Sequence, residues 1–276
     1  VTGVYVTRPW NWRGTDVFGA TPVICDGGLR YRDAQGREQS AWVGGYNGTS
    51  KQIDWQQVNG PFADYFAWMR DAGVPYMLNV EHAVWDIFNP SRVEWIAANI
   101  KLLAGALGTP AWFYPMTAAR ITGAMEGFLR WRDAIRGWSF SRVLAEAQRL
   151  HWNSPPRQIA RWQTANEIAV PLIEATGVAT PSVYRTYRVM HPDNLREHVR
   201  ESRRLYGDRL VYPVACPCYA NNQDPTINGL PIPMEHWESD IAAIRAGGAN
   251  GVCIWSALPQ QVTDRHVEIA RAYFPS

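Results

Sequence analysis

A chain of 276 residues, 46% hydrophobic and 19% charged, can bury a large core and is too apolar to stay disordered. Its formal net charge of +2 is too small to indicate a polyanion-binding surface. No run approaches the ~18 consecutive apolar residues of a membrane span, and the opening residues lack the basic-then-apolar pattern of a secretory leader.

In chain order, Gly3–Arg8 (GVYVTR) reads as a short buried strand. A Gly- and Asn-rich stretch without clear helices follows, carrying Trp10, Trp12, Trp42 and Trp55. Residues 61–72 place Phe62, Tyr65, Phe66 and Met69 at helical spacing, and 75–81 (PYMLNVE) return to a strand pattern. Asn89-Pro90-Ser91 is a helix start signal ahead of the Val93, Ile96, Ala97, Ile100 and Leu103 repeat, predicting a helix over 91–107. The strand 111–116 (AWFYPM) leads into a segment, 117–157, too long for one crossover and read as a helical insertion. Residues 158–175 are helical in pattern, with Pro171 expected to kink or split them. Strand 178–184 (VATPSVY), helix 194–206 stopped by Gly207, strand 210–215 (LVYPVA), helix 234–246 ended by Gly247-Gly248, and strand 251–255 (GVCIW) complete the series.

Strand and helix alternating five or six times within one domain imply a parallel sheet covered by helices. No glycine-rich phosphate loop follows a strand, which argues against a nucleotide-binding doubly wound sheet. The expected fold is an α/β (β/α) TIM-like barrel, regular or distorted, of seven to eight strands, spanning 1–276 as a single domain with the helical insertion near 117–157.

Such a barrel carries its chemistry at the carboxyl ends of its strands. Asn79 and Glu81 end one strand two residues apart, so both would face the same side. A carboxyl held there is partly desolvated, which raises its pKa and suits it to general acid work. The competing reading makes Glu81 a structural partner of one of the many arginines. Three strand ends carry a large ring with a hydrogen-bond donor: Tyr114, Tyr184 and Trp255. The chain holds 14 tryptophans and 12 tyrosines, and flat rings with a polar edge suit the apolar faces of sugars, though large cores use them too. Trp10 and Trp12 either extend a glycan groove or pack beneath the loops.

Four segments together resemble the hyaluronidases. Leu78-Asn79-Val80-Glu81-His82-Ala83-Val84-Trp85 resembles their Asp-x-Glu strand end, and Thr180-Pro181-Ser182-Val183-Tyr184 their Pro-Ser-Val-Tyr strand. Residues 251–256 resemble their closing strand, and Trp112-Phe113-Tyr114-Pro115 is a looser match to their aromatic strand. The order and spacing hold from about 75 to 257, and the chain also looks like bacterial and phage proteins that keep this skeleton.

The resemblance implies a glycosidase acting on a polysaccharide, those that contain N-acetylhexosamine among the candidates, with Glu81 as general acid/base and Tyr114, Tyr184 and Trp255 lining the subsite. It implies no cofactor and no metal, and favours an extracellular or virion-associated setting. Asn79 stands where that family has an aspartate that positions the substrate's acetamido oxygen. An amide can hold that group or a water but supplies no negative charge. The departure opens an alternative, a non-catalytic carbohydrate-binding or virion-surface barrel that has lost turnover. The sequence leaves the oligomeric state open.

Other carboxylates are weaker candidates. Asp86, Asp224, Glu235 and Asp264 could sit in loops after strands and serve as the second carboxylate of a two-carboxylate site, and Glu167 reads as a solvated helix residue. Arg196, Arg200, Arg203 and Arg204, interleaved with Glu197 and Glu201, read as an ion-paired exterior face rather than a nucleic-acid surface. The six histidines are scattered, with no His-Glu-x-x-His motif. Of four cysteines, too few for a disulfide scaffold, Cys216 and Cys218 flank Pro217 and read as two packed thiols ahead of a metal site or a strained disulfide.

Overall fold

The computed structural model describes residues 3–8, 17–26, 29–32, 38–41, 63–79, most positions of 93–108, 111–114, 156–168, 170–185, 190–220, 226–255 and 261–275. Ten strands and six helices are named among them: β1 (Gly3–Arg8), β2 (Thr21–Asp26), β3 (Leu29–Arg32), β4 (Glu38–Ala41), α1 (Ala63–Asp71), β5 (Tyr76–Asn79), β6 (Ala111–Tyr114), α2 (Pro156–Glu167), α3 (Val170–Thr176), β7 (Val178–Ala179), α4 (Asp193–Tyr206), β8 (Leu210–Val211), β9 (Val214–Ala215), α5 (Met234–Ala246), β10 (Gly251–Ile254) and α6 (Asp264–Tyr273). The described positions between 93 and 105 are helical as well, in agreement with the repeat around Val93, Ala97 and Ile100.

Six strands form one parallel sheet in the order β6-β5-β2-β1-β10-β9. The segment from Val178 to Val183 lies along the outer side of β8 and β9. Tyr212 N–H donates to the Ala179 carbonyl (2.7 Å), Val214 N–H to that of Pro181 (2.8 Å) and Val183 N–H to that of Val214 (2.9 Å). The expected strand over 210–215 is interrupted because Pro213 has no N–H to give the ladder, although its carbonyl still accepts from Cys253 (2.9 Å). Pro181 interrupts the neighbouring segment for the same reason. The helix pattern over 158–175 likewise divides into α2 and α3, with the break falling just ahead of Pro171.

The sheet is buried on both faces, which is why its strands read as short continuous apolar runs. One face meets the helices: Val4, Val6, Ile24, Val252 and Ile254 belong to a core with Met69, Ile173, Leu195, Trp237, Ile241 and Phe274. The other face encloses Val23, Met77, Trp112, Tyr114, Val178, Tyr212, Val214 and Cys253, with Tyr5, Cys25, Tyr184 and Trp255 at its margin. Residues two apart share a face. Trp112 of β6 stacks within 5.4 Å of Tyr212 beside β9, although these strands lie at opposite ends of the sheet order. The sheet is therefore curled, and the fold is α/β.

Close approach explains two glycines. A Cβ on Gly251 would fall on the Gly3 carbonyl oxygen and 2.9 Å from the Tyr212 ring. One on Gly247 would lie 2.6 Å from the Val199 Cβ, where the end of α5 meets α4. The sequence reading passed over three strands and one helix. Pro22 disguised β2, whose ladder begins beside it, with Val6 opposite Pro22. The antiparallel pair β3–β4 carries too few β-branched residues to stand out. The helix α6 is treated below. Among the described residues no helix is long and apolar enough to cross a membrane.

Candidate functional site

Because the sheet is parallel, the carboxyl ends of β1, β5, β6, β9 and β10 lie along one rim. Three of the expected site residues meet there. Tyr184 stands between Tyr114 and Trp255: its ring is 6.0 Å from Tyr114 at 29° and 5.5 Å from Trp255 at 19°, both stacked. They come from three chain segments 70 or more residues apart. The Tyr114 hydroxyl donates to Ser182 Oγ at 3.0 Å, joining β6 to the segment that follows β7. Asn79 ends β5 directly opposite Tyr114 in the β5–β6 register.

A second aromatic group forms the floor. The Tyr5 ring lies 5.0 Å from both Trp112, edge-on at 78°, and Tyr212, tilted at 54°. Burial, reinforced by Tyr5, pushes the Tyr212 hydroxyl well above its ordinary value, so it stays protonated. Sequence reading missed this floor. The usable signal was parity, since Trp112 precedes Tyr114 by two residues and must share its face.

The rim is braced by a buried ion pair that was also missed. Arg185, the residue after Tyr184, donates to Asp240 on α5 through Nε (2.8 Å to Oδ2) and Nη2 (2.5 Å to Oδ1), and through Nη1 to the Met190 carbonyl (2.6 Å). Both side chains are nearly inaccessible, at 3% and 4% exposure. Burial raises the Asp240 carboxyl from its ordinary value, with the Arg185 guanidinium opposing it. The Arg185 carbonyl accepts from Ala220 N–H (3.2 Å), so the same residue ties the Tyr184 strand end to the segment after β9. Arg8 ends β1 on this rim, buried, with Nη1 on the Thr7 carbonyl (3.2 Å); desolvation lowers its pKa.

Glu81, Trp10, Trp12, Trp42, Trp55, Asp86 and Asp224 lie outside the described residues. Glu235 and Asp264, expected in loops after strands, instead occupy the first turns of α5 and α6, where a carboxylate complements the helix dipole. Glu167 is exposed near the end of α2 and paired with Arg204 at 3.1 Å. On α4, Arg196 pairs with Asp193 (2.7 Å), Arg200 with Glu197 (2.8 Å) and Arg204 with the buried Glu201 (2.8 Å). Arg203 reaches the carbonyls of Gly207, Arg209 and Gly248 and the Asn250 side chain. Among the described residues no three His, Cys, Asp or Glu side chains group as metal ligands.

No family model matches the chain, and no curated protein matches it. Among solved structures, it is similar to bee venom hyaluronidase crystallised with a hyaluronic acid tetramer, at 15% identity and a TM-score of 0.44, over 99% of this chain and 96% of that one. A monoclinic crystal structure of bee venom hyaluronidase gives 14% identity and a TM-score of 0.47 over the same shares of the two chains, 99% and 96%.

Proposed function

We propose that this chain is a glycoside hydrolase of (β/α)-barrel type that cleaves within a polysaccharide containing N-acetylhexosamine. The observation that carries the reading is the Tyr114–Tyr184–Trp255 stack at the carboxyl-end rim, with the last residue of β5 in register beside it. Aromatic walls with phenol and indole edges hold sugar rings by their apolar faces and hydroxyls by their polar edges. The closed barrel is part of the proposal. It is supported by the Tyr114–Ser182 hydrogen bond across the two ends of the sheet and by the backbone pairing of 178–183 with 210–214.

In this reading Glu81, two residues beyond Asn79, protonates the leaving glycosidic oxygen and then takes a proton from the attacking water. Asn79 orients the acetamido group or that water through its amide. Tyr114, Tyr184 and Trp255 shape the subsite around the scissile bond, and Trp10 and Trp12 extend the groove. The Arg185–Asp240 pair is a positioning element that fixes where Tyr184 stands.

The test is oligosaccharide release, followed by mass spectrometry, from hyaluronan, chondroitin and bacterial capsule or exopolysaccharide. Wild type and Glu81→Gln are compared side by side. Products from wild type, reduced at least ~100-fold in the variant, are expected for a lost general acid. Equal release by both proteins would remove Glu81 from that role. Binding by both without turnover would assign the rim to a non-catalytic carbohydrate module.

A further inference from the structure

We propose, resting on the reading of this rim as a saccharide site, that Cys25 is a specificity-determining residue of the mouth. It lines the side across from the aromatic stack, and its small side chain sets which ring substituents fit there.

The stack runs from Tyr114 at the end of β6 through Tyr184 to Trp255, the residue after β10. In the sheet order, β5, β2 and β1 lie between β6 and β10, so they carry the opposite side of the mouth. Residues two apart along a strand share a face. Tyr5 and Val23 belong to the enclosed aromatic face, whereas Val4, Val6 and Ile24 meet the helices. Thr7 and Cys25 therefore face inward, and Cys25 packs against the enclosed aromatic cluster. Thr7 is 6% exposed and donates through Oγ1 to the Ile254 carbonyl (3.3 Å), so its hydroxyl proton is committed to the barrel wall.

The strand register shows where the wall opens. Cys25 pairs with Met77, and Met77 with Trp112, in one row across β2, β5 and β6. Met77 and Trp112 are closed off, at 0% and 5% exposure, while Cys25 is half-buried. Ile24, on the helix face beside it, is fully buried. The open part of Cys25 thus belongs to the mouth. Three large rings stand on one side and a small thiol on the other. A sugar held along the stack occupies the space between, and what projects from its far side meets Cys25. A thiol is a small hydrophobe with a weak S–H donor, so this contact reads size rather than hydrogen-bonding pattern.

The test uses the whole chain and a reversible cap. Methyl methanethiosulfonate adds a methylthio group to an accessible thiol, and dithiothreitol removes it. Cys216, Cys218 and Cys253 are buried and outside any disulfide, so Cys25 is expected to react first, as mapped by peptide mass spectrometry. Binding of hyaluronan, chondroitin and bacterial exopolysaccharide oligosaccharides is measured by calorimetry on Glu81→Gln. An oligosaccharide that binds, supplied at about ten times its Kd, should slow the capping of Cys25 about tenfold, because only the unliganded fraction reacts. The cap should raise its Kd about tenfold or more, and dithiothreitol should restore it. Cys25→Leu should reorder the preference among the oligosaccharides. If an oligosaccharide binds without slowing the capping, or binds the capped protein equally well, the role of Cys25 is overturned and the saccharide reading stands. If none of the panel binds, both fall. The capped wild type decides the question even if Cys25→Leu fails to fold.

Discussion

Tyr184 shows how much a single position inherits from its neighbours. Its ring is flanked by Tyr114 and Trp255, and the residue after it is clamped to α5 through Asp240. The ring type at each strand end was legible because it is a local fact of sequence. Arg185 and Asp240 were not, because an arginine beside a strand end and an aspartate within a helix each look solvated until the fold buries them together. Gly251 makes the same point for packing. The Gly251→Ala variant must push the Gly3 carbonyl and the Tyr212 ring aside, and overpacking of this kind costs about 1–3 kcal/mol. Urea unfolding of the variant should show that loss through a lower midpoint with an unchanged slope.

At the scale of elements, amphipathic periodicity located α1, α4 and α5 to within two residues at either end, and proline chemistry foretold the division between α2 and α3. The helix α6 escaped because its start departs from the usual signature. Thr263 is the N-cap of a capping box, but its third helical residue is His266 rather than Glu or Gln. His266 Nδ1 accepts the Thr263 backbone N–H at 3.1 Å, while its ring packs edge-on to Trp237 at 5.5 Å. Only the unprotonated nitrogen can accept, and burial lowers the His266 pKa below its ordinary 6.5. Below pH 6.5 the unfolded chain then binds more protons than the native one, so stability rises with pH up to about that value and levels off above it. Chemical unfolding from pH 5 to 8 should show wild type losing stability on the acid side, and His266→Gln flattening this part of the profile. An unchanged acid slope in the variant would assign the loss to other groups.

For the molecule as a whole, the decisive feature is that the parallel sheet curls until its ends exchange side-chain contacts. Tyr114 on β6 and Ser182 beyond β7 are separated by 68 residues yet hydrogen-bonded. A double-mutant cycle with Tyr114→Phe and Ser182→Ala should give a coupling of about 0.5–1.5 kcal/mol in unfolding free energy. Additive effects would mean that the two ends do not meet in solution.

By itself, the sequence determined most of the short apolar strands of the parallel sheet, most of the helices, the α/β class and the rings that end β6, the segment after β7 and β10. Each depends on residues within a turn or a few strand positions of one another, where side-chain spacing and proline or glycine chemistry act directly. Only the tertiary structure decided that Tyr114, Tyr184 and Trp255 form one stack, that Tyr5, Trp112 and Tyr212 make its floor, and that Arg185 finds Asp240. Those contacts follow from strand order and from the curl of the sheet. Both arise when many apolar faces are buried at once, and no single segment encodes which distant face it will meet.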